Sequence, residues 1–168
     1  MCVVARTTSI CRLIVDLRQV AVKTRGNDLD SDYFSKMDDI NDPRSLILVV
    51  EDVHETRDGI EKLLQADGYR VAVARHELDG IESAQRKCPD LILVSLAGSQ
   101  RVVIATARRI RERAGVGEHV PVVAFCIEEI KEGDEVALSQ NVYVTRPDNF
   151  NQLRCLLTRL LSQPSIAV

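Results

Sequence analysis

Several absences narrow what this sequence can do. It contains no run of about 18 apolar residues, the length a membrane-spanning helix needs, so no span is expected. An excess of positive charge is missing as well. The 22 Lys and Arg stand against 25 Asp and Glu, a net charge of −3, which removes the electrostatic reason to expect nucleic acid as a partner. The five cysteines (Cys2, Cys11, Cys88, Cys126, Cys155) are odd in number, scattered, and include no Cys-x-x-C. That pattern argues against a disulfide framework and a zinc site, and for reduced thiols in a cytoplasm. The histidines His54, His76 and His119 lie far apart, without metal-ligand spacing. A secretory leader is not expected either, because Arg12 breaks the apolar patch at 10–15 and no small-residue cleavage site follows.

What is present is ordinary for a globular chain: 45% hydrophobic and 28% charged residues. A length of 168 residues allows one domain with some excess. The excess lies at the N-terminus. Residues 1–26 carry Arg6, Arg12, Arg18, Lys23 and Arg25 against Asp16, a local charge of 5 − 1 = +4. Ile10, Leu13, Ile14, Leu17 and Ala21 fall on one stripe at helical spacing, which suits a docking or dimerising helix. A poorly ordered extension is the simpler expectation. Residues 27–42 follow with six aspartates against Lys36, a charge of 1 − 6 = −5, and few apolar residues, as in a solvated linker. Met37, just before the first strand, offers a second start. The expected division is an extension and linker over 1–43, a folded domain over 44–163 and a tail over 164–168.

Within the folded part the hydrophobic period alternates. Residues 46–51 are a strand-like apolar run; 55–66 are helical, with Ile60, Leu63 and Leu64 inward and Asp67-Gly68 as the stop. A strand over 69–74, a helix over 77–88 and a strand over 91–95 come next. That third strand, Leu91-Ile92-Leu93-Val94-Ser95, is apolar to both faces and too short for a helix, which suits the middle of a parallel sheet. Ser99 suits the N-cap of a helix running to Arg113. A fourth strand over 121–126, a weaker helix over 128–138, a fifth strand over 142–145 and a last helix striped by Phe150, Leu153, Leu157, Leu160 and Leu161 complete the pattern. Strands and helices alternating at this spacing predict an α/β, doubly wound parallel sheet with right-handed crossovers.

Residues 46–162 resemble the receiver domain of two-component (phosphorelay) response regulators. The fragments that carry the likeness are Leu48-Val49-Val50-Glu51-Asp52, Asp67-Gly68-Tyr69, Pro89-Asp90-Leu91-Ile92-Leu93, Val120-Pro121-Val122-Val123-Ala124 and Tyr143-Val144-Thr145-Arg146-Pro147, in the family's order. The resemblance implies a flavodoxin-like (βα)5 fold of strand order 2-1-3-4-5, with its site at the carboxyl ends of the strands. In that family an aspartate accepts a phosphoryl group, an acidic pair holds Mg²⁺, and a lysine and a hydroxyl grip the product.

Carried over by position, Glu51 and Asp52 are the metal pair, and both remain acids. The nucleophile's place falls on Ser95, the hydroxyl's on Cys126, the lysine's on Arg146 and the switch aromatic's on Tyr143. A serine is a far weaker nucleophile than a carboxylate and strips a hard oxygen ligand from the metal site. Cys126 is a poor donor, and the Arg146 fork is expected to clasp Glu51 or Asp52 as a buried ion pair. The turn after Ser95, Leu96-Ala97-Gly98-Ser99, has no proline where receivers usually carry one. The expectation is a pseudo-receiver: no enzyme, no required cofactor, at most weak Mg²⁺ at Glu51 and Asp52, acting by protein contact as a stand-alone cytoplasmic module.

The partner is expected to be a kinase, another regulator or a second copy. It would bind through the fourth helix, fifth strand and fifth helix, residues 128–161, which receivers use for such contacts. A basic third helix (Arg101, Arg108, Arg109, Arg111, Arg113) is the alternative surface. Two other functions stay open at this point. One is an active response regulator phosphorylated at a non-standard acceptor. The other is a cobalamin-binding flavodoxin-like domain, suggested by Asp52-Val53-His54 and Ser95-Leu96-Ala97-Gly98, although Arg57 takes the place of a required glycine.

Overall fold

In the computed structural model the described residues are 42–125 and 127–162. Short runs of β-branched and leucine residues build the centre. β1 (Leu46–Glu51) and β3 (Leu91–Ser95) are buried along their whole length, as strands covered by helices on both faces must be. The remaining elements are α1 (His54–Ala66), β2 (Arg70–Ala74), α2 (Glu77–Lys87), α3 (Gln100–Arg113), β4 (Val122–Phe125), β5 (Glu135–Leu138), β6 (Val142–Thr145) and α4 (Phe150–Leu161).

Strand periodicity splits the core in two. Leu46, Leu48, Val50, Ile92, Val94, Val122, Ala124 and Val144 face Ala84 of α2 and Val103, Ala107 and Ile110 of α3. Ile47, Val49, Leu91, Leu93, Val123 and Phe125 face Ile60 and Leu64 of α1 and Leu153 and Leu157 of α4. Each large side chain buried this way contributes roughly 1.5–3 kcal/mol. Register is pinned at the strand starts. Asp90 accepts the Leu46 N–H with Oδ2 at 2.7 Å and returns its own N–H to the Leu46 carbonyl at 2.8 Å. The Pro89-Asp90 punctuation therefore fixes which residue of β3 ends level with which residue of β1.

The sheet order is β2-β1-β3-β4-β6-β5. Its parallel part, β2-β1-β3-β4-β6, has the expected 2-1-3-4-5 arrangement, and β5 is added antiparallel to β6 at the edge. Here the expectation of a helix over 128–138 is corrected. Gly133 interrupts the segment, and a mid-helix glycine costs about 1 kcal/mol against alanine. Gly133 instead sits at φ 88° in a turn closed by Asp134 N–H to the Lys131 carbonyl at 3.0 Å. Its N–H meets the Arg146 carbonyl at 2.7 Å, while Arg146 N–H donates to the Asp134 carbonyl at 3.2 Å. Two residues thus oppose one, a glycine β-bulge. Beyond it Val136 and Leu138 alternate with Glu135 and Ala137, a period of two that pairs with β6.

The β5–β6 turn carries strain that its neighbours hold. Gln140 (φ 61°) and Asn141 (φ 57°) are both left-handed, a conformation suited to a primed hairpin turn but costly for glutamine. The buried guanidinium of Arg111 donates to the Gln140 carbonyl at 2.8 Å and to the Val120 carbonyl at 3.2 Å, and Asn141 Nδ2 donates to the His119 carbonyl at 2.8 Å. Arg111 is 2% exposed. Desolvation lowers its pKa from the usual arginine value, so its cation is spent on two carbonyls inside the fold. Arg109 is engaged too, bidentate to Glu77 at 2.8 Å. The basic face expected of the third helix is therefore depleted of both residues.

Candidate functional site

The carboxyl ends of β1, β3 and β6 converge where an open α/β sheet keeps its chemistry. Glu51 ends β1 and Ser95 ends β3, and the two are direct partners in the parallel ladder. Each is 1% exposed. Asp52, one residue beyond β1, faces solvent. The acidic pair therefore divides into a buried member and an open one.

Glu51 is the most perturbed acid of the site. Oε1 accepts the Val53 N–H at 2.9 Å, but Oε2 is buried without a hydrogen bond. Burial pushes its carboxyl up from 4.5 to about 7, and the neighbouring Asp52 adds to the rise. The Val53 N–H and the nearby Ser95 hydroxyl pull the other way without cancelling the desolvation. Near neutral pH this carboxyl is a mixture of acid and carboxylate. Orphaned oxygens of this kind are rare in folded proteins and mark a place where something else is accommodated or strain is stored.

Arg146 does not reach the acidic pair. The expected clasp on Glu51 or Asp52 is corrected: its Nη1 donates to the Glu128 carbonyl at 3.3 Å, and among the described residues it forms no ion pair with either acid. The bulge at Gly133 is the cause, because it ties the Arg146 backbone on both sides to the start of β5 and turns the side chain toward the 128–134 segment. Tyr143, in the middle of β6, packs against the α1–α4 side of the core and sits opposite Ala137 of β5. Cys126 lies outside the described residues.

One participant escaped the sequence reading. Arg57, in the first turn of α1, is buried, and its Nη1 donates to the Glu51 carbonyl at 3.0 Å. Its Nη2 lies 2.9 Å from His54 Nδ1. A guanidinium is thus fixed under the end of β1, at the position where the cobalamin-binding pattern needs a glycine. A charged residue among the polar positions of a helix start gives no periodic signal. Nothing in the local pattern separates this arginine from a solvated one.

The family model described as the response regulator receiver domain matches residues 47–156. The chain belongs to the response regulator receiver family. Its similarity to solved receivers is one of fold. The response regulator TrrA of Thermotoga maritima, in complex with Mg(2+)-BeF, is 19% identical with a TM-score of 0.54, covering 69% of this chain and 98% of that one. The receiver domain of the sensor histidine kinase PA1611 of Pseudomonas aeruginosa, with magnesium in its active-site cleft, is 23% identical with a TM-score of 0.53, covering 71% and 99%. A Leptolyngbya boryana protein described as an uncharacterized 14.6 kDa protein in the sodA1 3′ region is 30% identical over 103 residues, 60% of this chain and 78% of that protein. Among the described residues of this receiver no helix is long and apolar enough to cross a membrane.

Proposed function

We propose that this receiver serves a two-component signalling pathway without phosphoryl transfer, as a pseudo-receiver that acts in the cytoplasm by protein contact. The observation that carries the reading is the Glu51–Ser95 pair: the crevice position level with the buried acid holds a hydroxyl instead of a carboxylate. An aspartate there would be ionised and nucleophilic, whereas a serine needs a base. The nearest acid, Glu51, is itself pushed to about 7, with one oxygen already committed to Val53.

Magnesium fits this donor set poorly. A hard dication prefers several carboxylate or carbonyl oxygens. Glu51 offers one free oxygen, but only after a buried carboxyl gives up its proton. Asp52 supplies a second donor from solvent, Ser95 contributes no charge, and the Arg57 cation lies at the Glu51 carbonyl. The ion would therefore bind weakly at Glu51 and Asp52. For the partner, the surface changes character. The face that receivers use as helix, strand and helix is here the hairpin β5–β6 beside α4, and a kinase, regulator or second copy would meet a strand edge.

Incubation with acetyl phosphate and Mg²⁺ followed by intact mass tests the reading. The expected spectrum is that of the untreated chain. A gain of one phosphoryl group overturns the proposal and favours an active regulator with a non-standard acceptor.

A further inference from the structure

The pole of the sheet opposite the crevice holds a cavity of about 360 Å³. That volume lies in the range of small-molecule sites. Three strand starts line it: Ser45 precedes β1, Asp90 precedes β3 and Pro121 precedes β4. Three helix ends join them, at Cys88 after α2, at Ala114 after α3 and at Leu160 in the last turn of α4. The loop from α3 to β4 is fixed by the Val116 N–H on the Arg111 carbonyl at 3.1 Å and the Val120 N–H on the Gly117 carbonyl at 3.0 Å. Asn141 Nδ2 holds the same loop at the His119 carbonyl. The cavity is therefore formed before a ligand arrives, which keeps the ordering cost of binding small.

We propose that this cavity binds an organic cation with an apolar body, an aromatic amine in the simplest case. The charge of the lining selects the sign. Asp90 is its one acid, and no lysine or arginine lines it. Asp90 Oδ2 accepts the Leu46 N–H at 2.7 Å, which leaves Oδ1 for a donor brought by the ligand. The C-terminal ends of α2, α3 and α4 add their partial negative charge at the same place. The basic residues of those last turns do not cancel it from within the cavity. Arg111 spends its guanidinium on the Val120 and Gln140 carbonyls, Arg86 faces Glu82 at 3.6 Å, and Arg159 is paired to Glu135. Lys87 and Arg113 are exposed and lie outside the lining. Val116, Val120, Pro121 and Leu161 offer apolar surface for the body of the ligand, and Ser45 and His119 add hydrogen-bonding groups. An anion would meet a carboxylate and three helix ends of its own sign. The inference is independent of whether Ser95 accepts phosphorus.

Fluorescence anisotropy of tryptamine added to the full chain tests it. The protein contains no tryptophan, so indole emission reports the ligand alone. Saturable binding is expected, and indole-3-acetate, the same ring on an anion, is expected to bind at least about tenfold more weakly. Asp90→Asn keeps an oxygen for the Leu46 N–H while removing the charge, and is expected to weaken tryptamine about tenfold. Val116→Phe fills the cavity and is expected to abolish binding. Tryptamine is also expected to slow alkylation of Cys88 by iodoacetamide and to leave Cys155, exposed on α4, unchanged. The absence of saturable tryptamine binding, or equal binding of the two indoles, overturns the proposal. Binding that survives Val116→Phe overturns it too, by placing the ligand elsewhere, and so does equal slowing at both cysteines.

Discussion

Replacing Glu51 by glutamine should stabilise this protein, and the gain should grow with pH. Glutamine keeps the shape of the side chain and an oxygen for the Val53 N–H. It cannot ionise. The wild-type carboxyl is raised from 4.5 to about 7 by burial, so the folded state binds its proton more tightly than the unfolded state does. Below about 4.5 both states hold the proton and nothing is lost. As pH rises from about 4.5 toward 7 the unfolded state ionises first, and folding stability falls through that window. Each pH unit across it is worth up to about 1.4 kcal/mol, and the full displacement up to about 3 kcal/mol. Between pH 5 and pH 8 wild type should therefore lose about 2 to 3 kcal/mol that Glu51→Gln retains. Urea denaturation of both proteins in EDTA, at pH 5, 6, 7 and 8, measures the difference directly. Parallel curves, with a constant offset between the proteins, would refute the claim that a buried, protonated acid closes β1.

Other consequences are as specific. Ser95→Asp alone should give no stable acyl phosphate with acetyl phosphate, because Arg146 is turned to the Glu128 carbonyl and cannot grip the product; a phosphorylated intact mass would contradict this. The same variant should lose about 1 to 3 kcal/mol in EDTA, from a new buried charge beside Glu51, and regain part of it with Mg²⁺, read as a midpoint shift in thermal unfolding. Gly133→Ala should cost about 1 to 2 kcal/mol, since its φ of 88° is left-handed and an added Cβ would lie 3.1 Å from Asp148 Oδ2. Arg111→Met should cost about 2 to 3 kcal/mol by leaving the Gln140 and Val120 carbonyls without their donor, with exchange at 139–142 rising before that of β1. Gln140→Gly should add about 0.5 to 1 kcal/mol by relieving the turn, measured by denaturant midpoint.

The parallel core is legible in the sequence because each element there carries its own period. β1 and β3 fall where their apolar runs lie, and α1 and α3 match their stripes to within a residue. Ser99 does stand at the N-cap of α3, but without a capping hydrogen bond; Glu129 Oε1 accepts the Gln100 N–H instead, at 2.8 Å. That carboxylate comes from the very segment misread as a helix. The misreading has a physical origin. Glu-Glu-Ile-Lys-Glu favours a helical start, and the deciding signal is a single glycine whose value depends on a long-range partner, Arg146, that no local window contains. The site shows the same division. The positions of Glu51, Asp52 and Ser95 follow from strand ends, whereas the direction of Arg146 follows from the bulge and the role of Arg57 from a contact six residues away.

Scaffold and chemistry can separate in this fold because they draw on different residues. The sheet is held by side chains buried in two apolar clusters, and Glu51, Asp52, Ser95 and Arg146 belong to neither. Exchanging a carboxylate for a hydroxyl at Ser95 therefore removes a nucleophile without opening the core, and it removes like-charge repulsion beside an acid that burial already disfavours. Strand β5 extends the same logic to the output surface. The helix expected there is replaced by a hairpin fixed at one end by the Gly133 bulge and the Glu135–Arg159 pair, and at the other by Arg111. An edge so anchored presents a strand of fixed register.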